Sequence, residues 1–187
     1  MNKAIFLDRD GTLIAEKGYI CEPREVEIFP FAFAAVRLMK EHHFNVIVVT
    51  NQSAVARGIC RPEQVESLHR FLREEFLKRA AVIERFYYCP YHAEGTIKAF
   101  KKKHPWRKPS PGMLLQAAAD SNIDLSHSYM MGDNLIDLQA GREAGCKTVL
   151  VLTGKGGETQ KLLEKEKLSP DLVSPDIFTA IKEITGT

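Results

Sequence analysis

The sequence predicts an α/β fold: a Rossmann-like, doubly wound parallel sheet forming one domain over residues 1–187. Three observations predict it. Short β-branched and aromatic runs alternate with amphipathic helical stretches along the whole chain. The clearest strand, Asn45–Thr50, carries the unbroken apolar run Val46–Val49, as strands covered on both faces do. Polar clusters also follow the apolar runs: Asp8-Arg9-Asp10, Thr50-Asn51-Gln52-Ser53, Arg107-Lys108 and Gly132-Asp133-Asn134. In a parallel sheet such clusters meet outside the carboxyl ends of the strands.

Taken in order, Ala4–Leu7 reads as a buried strand, and Ala32, Ala35, Val36 and Met39 then recur at helical spacing. After the strand Asn45–Thr50, Val65, Leu68, Leu72 and Phe76 mark one face of a helix opened by Pro62. Ile83–Tyr88 reads as a third strand. The stretch from Cys89 to Lys108 has no periodicity and is long for a connection, which marks it as functional or mobile. Ser110-Pro111 reads as N-cap and first residue of a helix reaching about Asn122. A short strand Tyr129–Met131, a helix Leu135–Ala144 stopped by Gly145, and a strand Lys147–Leu152 follow. A helix around Lys161–Lys167, a brief strand near Leu172 and a helix through Ile177, Ile181 and Ile184 complete the chain.

Composition narrows the function. Apolar residues make up 44% and charged residues 27%, enough for an ordinary core. A formal net charge of +2 argues against a nucleic-acid or membrane-surface protein. No apolar stretch is long enough to span a bilayer, and the N-terminal apolar run is too short for a signal sequence. Cys21, Cys60, Cys89 and Cys146 form no C-x-x-C pair, so free thiols in a reducing cytoplasm are expected. No exposed apolar stripe is evident, so a monomer is expected.

Side chains alternate along a strand, so Asp8 and Asp10 point the same way. Paired carboxylates repel when both are ionised, and a protein keeps such a pair to hold a cation or to move protons. Gly11 lets the chain turn sharply behind them. Thr50, ending the second strand beside free backbone N–H groups, suits a phosphate oxygen. Lys108 offers a point charge to a phosphoryl group, and Arg107 a bidentate grip on a second anion. Asp133, between a strand and a helix, adds a hard oxygen ligand of the kind magnesium prefers. Asp137 either supports Asp133 or favours the helix start, and both readings stay open. An ordinary turn or solvated charge accounts for each piece alone; their joint order at strand ends carries the weight.

That combination resembles the haloacid dehalogenase (HAD) superfamily of phosphotransferases, through Asp8-x-Asp10-x-Thr12, Thr50, Lys108 and Gly132-Asp133. Within it, Phe6–Thr12, Val49–Ser53, Ala56-Arg57-Gly58, Tyr88-Cys89-Pro90 and Arg107-Lys108-Pro109 look like the heptose-bisphosphate phosphatase branch. Histidinol-phosphate phosphatases share much of this. The resemblance implies a HAD fold without a separate cap domain, Mg2+ as cofactor and a small phosphorylated sugar as substrate. It implies removal of the 7-phosphate from D-glycero-D-manno-heptose 1,7-bisphosphate, serving lipopolysaccharide synthesis. Histidinol phosphate or a broad range of small metabolites is the alternative. It makes Asp8, Asp10, Thr50 and Lys108 the expected catalytic residues. Thr12, Asn51, Gln52, Ser53 and Arg107 are the expected substrate contacts, and Asp8, Asp10 (by its carbonyl) and Asp133 the metal ligands.

The resemblance breaks at the loop where many members bind structural zinc. Of the expected Cys-x-His and Cys-x-Cys set only Cys89 is present; Tyr91, His104 and Trp106 fill the other positions. Zinc wants four tetrahedral ligands, so packing of Tyr91, Phe100 and Trp106 is expected to hold this loop instead. Whether Cys89, His92 and His104 keep any metal stays open.

Overall fold

Alternation along β1 (Lys3–Leu7) and β2 (Phe44–Asn51) decides which helix packs where. Ile5, Leu7, Val46 and Val48 join one apolar cluster with residues of α1 (Pro30–Glu41), α2 (Pro62–Leu77) and α6 (Ile177–Thr185). Ala4, Phe6, Ile47 and Val49 join the opposite cluster with α3 (Gly112–Ser121) and α4 (Leu135–Ala144). Helices therefore cover both faces, and each residue of a strand serves the layer its parity assigns.

The computed structural model describes residues 1–187. Its six strands, including β3 (Arg85–Cys89), β4 (Tyr129–Gly132), β5 (Lys147–Val151) and β6 (Leu172–Ser174), lie in the order β3-β2-β1-β4-β5-β6. Every neighbouring pair is parallel. β1 lies between β2 and β4, with Leu7 opposite both Val48 and Met131. The chain order reverses here, so a crevice opens where β1 ends, and Asp8 is the residue that follows.

Several strand ends lie one residue from the sequence expectation, and three element starts differ for an identifiable reason. β3 begins at Arg85, two residues later than the apolar run suggests, because Ile83 packs beneath the sheet edge in the α1–α2 cluster instead of pairing. α3 begins at Gly112, after Pro111 rather than on it. α5 (Gly156–Glu166) begins five residues before Lys161. Gly156-Gly157 conceals that start, since glycine disfavours helices. At 156 a β-carbon would collide with the carbonyl of Val151, so the close return from β5 admits only glycine.

The expectation of four free thiols is corrected. Cys21 and Cys60 form a disulfide with Cα atoms 5.6 Å apart, within the range such bonds require. The segment after β1 folds back onto the turn after β2, which joins cysteines 39 positions apart without any local spacing signal. Cys89 and Cys146 are free and buried. No helix is long and apolar enough to cross a membrane.

The Cys89–Lys108 segment is irregular and is held by stacked rings. Tyr91 packs on His104 at 4.3 Å and tilts toward Phe100 at 5.9 Å, while His104 meets Trp106 edge-on at 6.1 Å. The Nδ1 atoms of His92 and His104 each accept a backbone N–H, and the Cys89 thiol points at the Tyr91 carbonyl. The three side chains are thus turned to separate partners, and they form no common ligand cluster.

Candidate active site

Eight of the residues picked from the sequence line one cavity of about 390 Å³: Asp8, Asp10, Thr50, Asn51, Gln52, Ser53, Lys108 and Asp133. It opens at the β1–β4 crevice and is walled mostly by polar groups.

Lys108 is the hub. Its side chain is buried, and Nζ donates to Asp8 Oδ1 at 2.8 Å and to the Val49 carbonyl at 2.8 Å. It also forms an ion pair with Asp137 Oδ1 at 2.7 Å. Burial works against its charge, but Asp137 and Asp8 outweigh burial, and the ammonium holds its proton more tightly than an ordinary lysine. Asn51 fixes the Lys108 backbone from both sides: its Oδ1 accepts from the Lys108 N–H at 3.1 Å and its Nδ2 donates to the Lys108 carbonyl at 3.0 Å.

Asp8, Asp133 and Asp137 present one oxygen each within 4.8 Å of one another. Burial, and after it the charge of Asp8, pushes the Asp133 carboxyl up to about 7. Burial also raises Asp137, with Lys108 pulling it back to about 6. A cluster of carboxylates with one internal cation is short of positive charge. Hard carboxylate oxygens of Asp8 and Asp133, converging at one end of a polar cavity, fit a divalent cation such as magnesium. Gly11, with φ +82°, packs its backbone directly on the Asp133 carboxylate, where a side chain would displace it.

Gln52 is buried and donates to both Thr50 Oγ1 at 2.9 Å and Asp10 Oδ2 at 3.0 Å. The Asp10 carboxylate stands apart from the acidic cluster and is gripped by Arg9. Two expected substrate contacts lie outside the cavity wall. Thr12 is fully buried with its Oγ1 unpartnered. Arg107 lines an adjoining depression with His92 and Lys108 and reaches the Tyr91 carbonyl at 3.4 Å.

The structure settles one reading left open and adds residues that the sequence reading passed over. Asp137 belongs to the acidic cluster and also caps α4 by accepting the Asn134 N–H at 3.1 Å, so its two candidate roles coexist. Thr153-Gly154-Lys155 closes the site from the end of β5: the Lys155 backbone N–H donates to Asp133 Oδ2 at 2.7 Å. A Gly-containing polar turn after a strand was the available signal. Glu16, Gly18 and Tyr19, from the segment after β1, form the outer rim.

A HAD-hydrolase-like family model matches residues 105–180. The D-glycero-D-manno-heptose-1,7-bisphosphate 7-phosphatase of Chlorobaculum tepidum is 37% identical over 185 residues, covering 96% of this chain and 92% of the relative. The D-glycero-beta-D-manno-heptose-1,7-bisphosphate 7-phosphatase of Escherichia coli K12 is 42% identical over 153 residues, 81% of this chain and 80% of the relative. The crystal structure of D,D-heptose 1,7-bisphosphate phosphatase from B. bronchiseptica, complexed with magnesium and phosphate, superposes with a TM-score of 0.86 at 28% identity and covers 98% of both chains. With the strand-end carboxylates, the buried lysine and the sheet order already in place, the chain belongs to the D-glycero-D-manno-heptose-1,7-bisphosphate 7-phosphatase family of HAD-like phosphatases.

Proposed function

We propose that this chain removes the 7-phosphate of D-glycero-D-manno-heptose 1,7-bisphosphate through a phospho-aspartate on Asp8, with Mg2+ as cofactor. The observation that carries the reading is the placement of Asp8: at the end of β1, held by Lys108, facing Asp133 across a polar cavity.

Asp8, Asp133 and the backbone carbonyl of Asp10 would hold the metal, which supplies charge to offset repulsion between the Asp8 carboxylate and the phosphate. Asp8 attacks phosphorus in line; the phosphorus–oxygen bond to the sugar breaks and an acyl-phosphate forms. Asp10 gives its proton to the departing sugar oxygen. It then takes a proton from the water that attacks the acyl-phosphate, which frees inorganic phosphate and restores Asp8. Thr50, Ser53, the Asn51 backbone N–H and Lys108 stabilise the equatorial oxygens as charge spreads over them. The Asn51 side chain acts through Lys108, whose backbone it clamps. Gln52 holds Thr50 and Asp10 in register, and Thr12 supports the loop from beneath the cavity.

Arg107 reads the second phosphate. Burial, and the charge of nearby Arg57, lowers its hold on its own proton, while the Cys89 thiol and Tyr19 act the other way. Neither arginine has an acidic partner in the chain, which leaves both open to an anion. The reading is of a monomer acting in the cytoplasm, where sugar bisphosphates are metabolised.

Turnover of the heptose bisphosphate and of histidinol phosphate, each with and without Mg2+, tests the reading. Magnesium-dependent phosphate release that strongly favours the bisphosphate is expected. Preference for histidinol phosphate would reassign the substrate, and no release from either would remove the phosphatase reading.

A further inference from the structure

We propose that His69 is a positioning residue for the reaction: it anchors Arg9, and Arg9 in turn fixes the direction in which Asp10 faces the cavity. This rests on the reading of Asp10 as the proton carrier.

Arg9 is 1% exposed and is the largest fully buried side chain in the protein. A guanidinium out of water must place its donors on acceptors, and its planar fork makes that geometry strict. Two donors go to Asp10: Nε reaches Oδ2 at 3.0 Å and Nη2 reaches Oδ1 at 3.0 Å. A third, Nη1, meets His69 Nε2 at 3.3 Å. His69 comes from the second turn of α2, sixty positions away, and is 6% exposed. Its ring stacks on Phe86 at 4.9 Å and meets Tyr88 edge-on at 5.6 Å, so it has little freedom to turn.

The chemistry of the contact is one-directional. Burial first, then the charges of Arg9 and Arg73, push the imidazole down to about 3, so the ring is neutral and Nε2 accepts from the guanidinium. The packed ring therefore locks the back of Arg9. The front of Arg9 holds both oxygens of Asp10, and Gln52 holds Oδ2 from the other side. Of His69, Arg9, Asp10 and Gln52, only Asp10 and Gln52 line the cavity. Without the histidine, Arg9 loses its rear contact, and the angle at which Asp10 meets a leaving oxygen is no longer fixed.

The test separates leaving groups. An alkyl ester, the heptose bisphosphate, needs its departing oxygen protonated; p-nitrophenyl phosphate does not. Single-turnover reactions with enzyme in excess read the phosphorylation step alone. His69→Phe keeps the stacked ring and removes the acceptor; His69→Gln returns an acceptor oxygen; His69→Leu replaces the first if the phenyl ring lowers Tm. For the apolar variant, alkyl cleavage should slow about tenfold, with aryl cleavage and KM within about twofold. His69→Gln should recover most of the loss. Equal slowing of both substrates, no slowing of either, or a Gln variant as slow as the apolar one would overturn the proposal. Asp10→Asn is run alongside: if it cleaves the alkyl ester normally, the proton-carrier reading fails rather than the positioning one.

Discussion

Replacing Lys108 with methionine strips the one cation from a buried acidic cluster while keeping the side chain's length. In the folded chain Nζ lies 2.8 Å from Asp8 and 2.7 Å from Asp137. With an effective dielectric of about 20, each contact is an attraction of about 6 kcal/mol. Desolvating the ammonium offsets several kcal/mol of that. Removing one partner of such a buried set leaves a net loss of about 3–5 kcal/mol. The loss should depend on pH in a definite direction. Asp133 and Asp137 already stand at about 7 and about 6, and loss of the ammonium pushes both higher. A carboxyl whose folded pKa lies above its unfolded value stabilises the fold while protonated, and that contribution is lost as pH rises through the folded value. The deficit of Lys108→Met should thus be full only well above about pH 7, where both carboxyls of the variant are ionised, and shrink as pH falls to about 6, the lower of the parent's own two values. Urea unfolding of both proteins across that range, without metal, measures it. Equal stability at about pH 8, or a deficit that grows on acidification, would refute the reasoning.

Other consequences follow from particular contacts. Asp133 must ionise to bind a cation, so magnesium affinity measured by calorimetry should rise with pH up to about 7 and then level; affinity that ignores pH there would count against Asp133 as a ligand. Arg107→Ala should weaken KM for the bisphosphate far more than for a monophosphate, and equal losses would remove its role in reading the second phosphate. Reduction of the Cys21–Cys60 bond, or Cys21→Ser, should cost about 2–4 kcal/mol, as closing a loop of this size implies. Thiol titration of the denatured chain should then find two reactive thiols without reductant and four with it; four without reductant would show the pair open.

Much of the fold was legible because sheet strands and amphipathic helices write their period into the chain. β2 and α4 announce themselves through Val46–Val49 and through Leu135–Ala144 closed by Gly145. Asp8 and Asp133 were legible for the same reason, each following an apolar run, whereas Lys108 ends an irregular segment and was legible only through its place in the motif order. Contacts made by backbone groups were not. The Lys155 N–H on Asp133 leaves no trace in side-chain identity. The Cys21–Cys60 bond and the His69–Arg9 contact join segments 39 and 60 positions apart, and neither has a local pattern. α5 was mistaken in its start because glycine there answers to a close approach and not to helix propensity.

Rapid quenching in acid during turnover, followed by peptide mass analysis, tests the central claim most directly. A phosphoryl group on the peptide carrying Asp8, absent in Asp8→Asn and released faster in the parent than in Asp10→Asn, is the expected result. Sustained turnover with no labelled chain, or with the label on another residue, would contradict it.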